Sequence, residues 1–161
     1  MELEKSKKKQ KELIEQVINL LKEHHIVDDL FKKFDIDPES IHNITIDFDD
    51  IDVSAKAKKD KIVLNNRFLE DGNIIDDLHY IVHELVHVLQ YLTGYVEKAK
   101  NLDFDHYLDN PLELQAFKEQ IRFIRDYKGE KAAEKYLKDL LDFHEIKGKD
   151  RKNKETFLAG L

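Results

Sequence analysis

Residues 74–93, IIDDLHYIVHELVHVLQYLT, read as a single helix with two chemically different sides. At the helical period Ile74, Leu78, Ile81, Val82, Leu85, Leu89 and Leu92 form an apolar stripe, while Asp76, His79, Tyr80, His83, Glu84, His87, Gln90 and Tyr91 share the other side. One side suits a core and the other a site. Asn73 is the expected N-cap after the Asp71-Gly72 turn, and Gly94 stands where a C-terminal stop belongs.

Within this helix lies His83-Glu84-Leu85-Val86-His87, an HExxH. Residues four apart sit one turn above each other, so the two imidazoles converge on a point beside the helix where Zn²⁺ fits. Glu84 directly follows the first histidine, which turns its carboxylate away from the ligand position and toward the place of an activated water. That is the geometry of a general base, and the chemistry it implies is hydrolysis of an amide. The five letters alone are a weak signal. Their place on the polar side of a strongly amphipathic helix is what the chemistry needs.

Composition sets limits on the rest. The chain has 161 residues, 38% of them charged, and a formal net charge of −7 with acids and bases interleaved. A dedicated nucleic-acid surface is therefore not expected, and the partner that the amide chemistry of the motif implies is a peptide or protein substrate. With no cysteine, only His, Asp and Glu can hold a metal. The N-terminal MELEKSKKKQKE is basic but lacks an apolar run behind it, and no stretch is long enough to span a membrane, so a cytoplasmic protein is expected.

Before the motif helix, Leu13, Ile14, Val17, Leu20 and Leu21 predict a helix over residues 5–24, and Val27, Leu30, Phe31 and Phe34 predict a second. His24 and His25 separate them; as successive helical positions they would diverge by about 100°, so they read as surface residues rather than ligands. Ile44, Ile46 and Phe48 alternate as a strand, Asp49, Asp50 and Asp52 follow in a solvated turn, and further strands fall at residues 53–57 and 62–64. After the motif, Asn110-Pro111 opens a helix to about Lys128, Gly129 stops it, and another runs from about Glu130 to Phe143. Residues 145–161 read as a loosely ordered charged tail with an apolar end, Phe157 to Leu161.

Two histidines leave a tetrahedral zinc one protein ligand short. Glu113 is the candidate, yet with Asn110 as N-cap and Pro111 at N1 it also falls at N3, the capping-box position, and spacing leaves ligand and cap equally open. HELVH followed some 25 residues later by NPLELQAF resembles the gluzincin zinc peptidases, especially minimal gluzincin (minigluzincin) domains and more distantly the ImmA/IrrE-type peptidases. The resemblance covers about residues 44–127 and implies Glu113 as the third ligand, since the second Glu of the related Pro-x-Glu-x-Glu-Ala pattern is Gln115 here. It also implies that the strand at residues 61–64 is an edge that holds an extended peptide. Metzincins are disfavoured, because their longer motif needs Gly and His where this chain has Gln90 and Thr93.

The resulting expectation is an α+β, zincin-like fold: a small, mainly antiparallel sheet packed against the HExxH helix and a downstream Glu-bearing helix. A helical extension (1–40), the zincin-like domain (41–128) and a C-terminal helix with its tail (129–161) make up the chain. The expected activity is a zinc metallopeptidase with His83, His87 and Glu113 on the metal and Glu84 as base. The donor to the developing oxyanion would be His106 or Tyr107, ahead of Tyr80 and Tyr91. Asp76 or Asp109 would orient a ligand imidazole. The apolar tail or the N-terminal helices would be able to cover the cleft and hold the enzyme latent. Two rivals stand beside this reading: a zinc-binding module without turnover, and a regulatory peptidase acting on one protein partner.

Overall fold

Apolar residues at helical spacing build α1 (Glu2–Lys22) and α2 (His25–Lys33), whose Leu13, Val17, Leu21, Val27, Leu30 and Phe31 are buried. The structure, a computed structural model, describes residues 2–71, 74–95 and 107–160. Asp37 caps a 3-10 turn (Pro38–Asn43) by accepting the Glu39 N–H. The chain then enters β1 (Thr45–Asp49), β2 (Ala55–Lys58) and β3 (Lys61–Asn65).

β2 and β3 form an antiparallel hairpin across Lys59-Asp60, whereas β1 lies parallel to the other side of β3, in the order β1-β3-β2. The expected mainly antiparallel sheet is therefore a mixed one. The cause is the loop of residues 50–54, which carries the chain past β3 before it turns back. Asn65 holds that loop by donating from Nδ2 to the carbonyls of Ile51 and Val53. A second correction concerns the edge. The strand expected there is β3, which lies in the middle of the sheet with Ile62, Val63 and Leu64 all buried. A continuous apolar run marks a strand covered on both faces, and the edge beside the motif helix is β2.

A short helix, α3 (Arg67–Asp71), leads toward α4 (Leu78–Leu92), the motif helix. It starts later than expected, after Asp77; Asn73 lies outside the described residues. Gly94 takes φ of 81° just past its end, the left-handed stop that the sequence implied. Burial extends round most of α4, including His79, His83 and Gln90, so its polar side faces protein rather than solvent. What covers that side is α5 (Pro111–Lys128), packed along it. Gly129, at φ of 100°, turns the chain into α6 (Glu130–Phe143) as the sequence indicated.

Two apolar clusters result. One joins α1 and α2 to the sheet and α4, with no break in the packing at residue 40; the other joins Leu108 to α5, α6 and the C-terminal segment. No helix of the described residues is long and apolar enough to cross a membrane. The C-terminal segment overturns an expectation: residues 148–158 form α7 (Gly148–Leu158) rather than a loose tail. Leu158 is buried in the second cluster, and Lys154 is buried between Asp109 and Asp150, with Nζ donating at 2.8 and 2.7 Å. Two inward residues one turn apart anchor a helix whose sequence is otherwise charged, which hides its amphipathic pattern. Leu158→Ala should cost about 2–4 kcal/mol in urea unfolding. A loose tail would give no change.

Candidate metal centre

The geometry starts at the first turn of α5. Asn110 accepts the Leu112 N–H at 3.0 Å and Pro111 occupies N1, which places Glu113 at N3 on the side facing α4. The capping-box alternative is not taken. The Asn110 N–H bonds to the Tyr107 carbonyl, and Glu113 Oε1 points to His83 Nε2 at 3.1 Å and His87 Nε2 at 2.9 Å. The two Nε2 atoms lie 3.2 Å apart. His83, His87 and Glu113 thus bring three ligand atoms together, one of two such clusters among the described residues.

What sets this cluster apart is the other side of each ring. His83 Nδ1 lies 2.9 Å from Gln120 Oε1, and His87 Nδ1 lies 2.8 Å from Gln90 Oε1. An amide oxygen only accepts, so both Nδ1 atoms carry the proton and donate. The amide nitrogens fix the glutamines in turn: Gln120 donates to His79 Nδ1 and to the Tyr136 hydroxyl, and Gln90 donates to the Leu112 carbonyl and Gln115 Oε1. Both histidines are thereby held with bare Nε2 lone pairs turned toward a carboxylate oxygen. Three such atoms at about 3 Å call for positive charge between them, either a proton on Nε2 or a metal ion. A tetrahedral zinc with bonds of about 2.0–2.1 Å sets its ligands about 3.3 Å apart, close to the spacing found here.

The charges agree. Burial works to raise the Glu113 carboxyl, yet the hydrogen bonds from His83 and His87 hold it well below the usual carboxylate range. Burial works to lower His87, and the bond and charge of Glu113 outweigh it and raise it. Glu84 stands apart from the triad: Oε2 accepts the Ala57 N–H of β2 at 2.8 Å, and burial raises its carboxyl despite both histidines and that bond. His79 is pushed down to about 4, first by burial and then by the charges of Lys128 and His83, so it is neutral and free to accept from Gln120.

Two cavities meet along Glu84. One of about 450 Å³ lies toward His87, Glu113 and Tyr107; the other, about 660 Å³, lies toward His83, Tyr80, Phe117 and Tyr136. Tyr107 hydrogen-bonds Glu113, and its hydroxyl is pushed far up by burial and that carboxylate, so it stays protonated. His106 lies outside the described residues. Tyr91 lines neither cavity, and none of the described residues of α1, α2 or 145–160 lines either one, so the cover expected from the chain ends is not seen. Asp76 and Asp109 do not orient the imidazoles. Asp76 lies near Lys128 and Asp109 pairs with Lys154, and the glutamines take that place. Gln90, Gln120 and Tyr136 were not singled out from sequence as supports, and His79, one turn before His83, reads from sequence more readily as a surface histidine than as a support, whereas it is buried; the usable signal was a glutamine on a helix side that has to be buried.

The second cluster is His24, His25 and Asp126. The rings do not diverge as expected, because His24 is the extended N-cap of α2 rather than a helical position. They stack at 5.4 Å and 13°, and both Nε2 atoms reach Asp126. Nor is His24 a surface residue, since its side chain is only 15% exposed. Its Nδ1 is buried without a partner, so holding a metal on Nε2 would strand an N–H there. Burial lowers His24 despite Asp126, so the cluster is a contact of neutral imidazole with carboxylate. Comparison with protein-family models, with characterised proteins and with solved structures finds no match.

His79 supplies a pH signature. Unfolded, it protonates near 6.5; folded, it resists to about 4, so stability is present above 6.5 and is lost as pH falls through that window. The loss should be on the order of 2–3 kcal/mol in chemical denaturation. His79→Gln, which still accepts from Gln120 but does not titrate, should lack this component.

Proposed function

We propose that this chain is a zinc-dependent endopeptidase of the gluzincin type, with a peptide or protein as substrate. The observation that carries the reading is the pair of histidines locked by glutamines into the tautomer that turns both Nε2 atoms onto Glu113. A purely structural site has no use for a half-buried carboxylate beside the triad that is not a ligand. Glu84 is that carboxylate.

His83, His87 and Glu113 would hold the metal. Zinc there supplies Lewis acidity, making water acidic near neutral pH and polarising a carbonyl. Glu84, raised by burial, accepts the proton of the attacking water and returns it to the departing amine, so that one water and one amide give an acid and an amine. Tyr107, protonated and already within reach of Glu113, is placed to donate to the carbonyl oxygen as it gains charge. The free side of β2 offers the main-chain groups that would hold an extended substrate by strand addition.

Elemental analysis of purified protein tests the metal. Near one zinc per chain should be present in wild type and in Glu84→Gln, and lost in Glu113→Ala. Gln120→Ala should weaken zinc affinity about 10- to 100-fold by freeing the His83 tautomer. With a mixed peptide library, Glu84→Gln should lower cleavage about 10²–10⁴-fold. Wild type that takes up no zinc on reconstitution, or Glu84→Gln protein that cleaves undiminished, would overturn the reading.

A further inference from the structure

We infer that the small cavity where α4, α5 and α6 meet is a binding site for a small carboxylate anion, which accepts the outer N–H of His79 and lies against the ammonium group of Lys128.

His79 is only 8% exposed, and its Nδ1 accepts from the Gln120 amide nitrogen at 2.7 Å. A neutral imidazole that accepts on Nδ1 carries its proton on Nε2, and burial, followed by the charges of Lys128 and His83, keeps this ring neutral. No acceptor among the described residues takes that N–H; the other neighbours of the ring are the aromatic rings of Tyr80 and Tyr136. Nor is the nitrogen sealed in. The side-chain polar atoms that the described residues enclose without a partner are His24 Nδ1, Glu119 Oε2 and Arg122 Nη1. His79 lines a cavity of about 180 Å³, whereas Gln120, to which its Nδ1 turns, does not, so the ring presents its outer edge to that space. A donor that is nine-tenths buried and opens on a cavity is satisfied only by an acceptor within it.

The rim decides the charge of that acceptor. Lys128, Lys135 and Asp139 border the cavity, and two ammonium groups against one carboxylate leave it net positive. Lys128 Nζ donates to the Asp76 carbonyl at 3.2 Å and stands 3.9 Å from the Asp76 carboxylate, so it keeps N–H bonds for a ligand. Lys135 pairs with Asp139 at 3.0 Å one turn along α6, with both side chains well exposed, and such a pair is weak enough to yield. Asp139 sets the limit: a dianion such as phosphate meets twice the repulsion that a single carboxylate does. Ile124 and Ala132 supply an apolar wall for a short carbon stem.

The occupant also reaches the metal centre. A Nε2–H that donates to an anion makes Nδ1 a stronger acceptor, which tightens the bond from Gln120 and, through the same amide, the bond that Gln120 Oε1 accepts from His83 Nδ1. A filled cavity therefore holds His83 more firmly in its ligand orientation. This second step rests on the metal-binding reading above; the anion site does not.

The test titrates sodium acetate into isotope-labelled full-length protein, with and without zinc, at about pH 7.5, where His79 is neutral. The imidazole nitrogen signals of His79, identified by their loss in His79→Gln, are followed by NMR against a series of sodium chloride at matched ionic strength. The Nε2 signal should move saturably, with half-saturation on the order of 10 mM, and Lys128→Met should bind at least about 10-fold more weakly. Acetate should also slow the release of zinc to a chelator more in wild type than in Lys128→Met. A Nε2 signal that does not move, that moves equally with sodium chloride or in Lys128→Met, or that reports tighter binding of inorganic phosphate would overturn the site. A site that fills with no difference in zinc release would overturn the coupling alone. Protein that takes up no zinc would overturn the metal-binding reading and the coupling with it, while the acetate titration still decides the site.

Discussion

Everything at the centre depends on two amide oxygens. Gln90 and Gln120 each accept from the outer nitrogen of a histidine, and each is held by what its own amide nitrogen donates to. An imidazole free to exchange tautomers would spend part of its time with a proton on the inner nitrogen. Here that state would set two acceptors, a bare Nδ1 and an amide oxygen, against each other at each glutamine contact, which removes it. The cluster is thus prepared before anything binds, and little reorganisation is left for a cation to drive.

Such an arrangement obliges the two helices to meet through polar surfaces. α4 carries His79, His83, Gln90 and the partly covered Glu84 and His87, and α5 presents Glu113 and Gln120 to them. Burying these groups is favourable only because each is paired, so one substitution leaves several atoms without partners. The rest of the molecule holds that seam closed. Lys33 of α2 donates to the buried Glu119 of α5, Arg122 pairs with Asp29, and Lys154 of α7 grips Asp109 just ahead of Asn110. The terminal helices contribute by bracing α5 from behind.

Much of this was legible from the chain, and the failures have physical causes. HExxH spacing places two imidazoles on one side of a helix whatever else happens, and Asn110-Pro111 and Gly129 mark the ends of α5 by local backbone preference alone. The choice between ligand and cap for Glu113 depended on where α4 lies, which no local rule contains. The side of α4 that read as a site is covered because α5 carries its own complementary polar residues, and a glutamine has no spacing signature of its own. Strand order escaped for a similar reason: alternation identifies β1, β2 and β3 but does not say which lies between the others. In α7 the charges outnumber the two inward residues, so periodicity was hidden.

The open edge of β2 has a consequence for the protein in a crowded solution. An unpaired strand edge invites any other chain with a free edge, including another copy, to add to it. β2 is only four residues long, and Lys56 and Lys58 are both exposed while Ala55 is buried and Ala57 half-buried. Two copies meeting edge to edge would bring four ammonium groups together along a short ladder, with few main-chain bonds in return. A solitary flexible peptide, which can place acidic or neutral side chains beside those lysines, meets no such penalty. The lysines therefore act as a filter on company: they admit a single extended peptide to the strand and discourage two copies from pairing edge to edge.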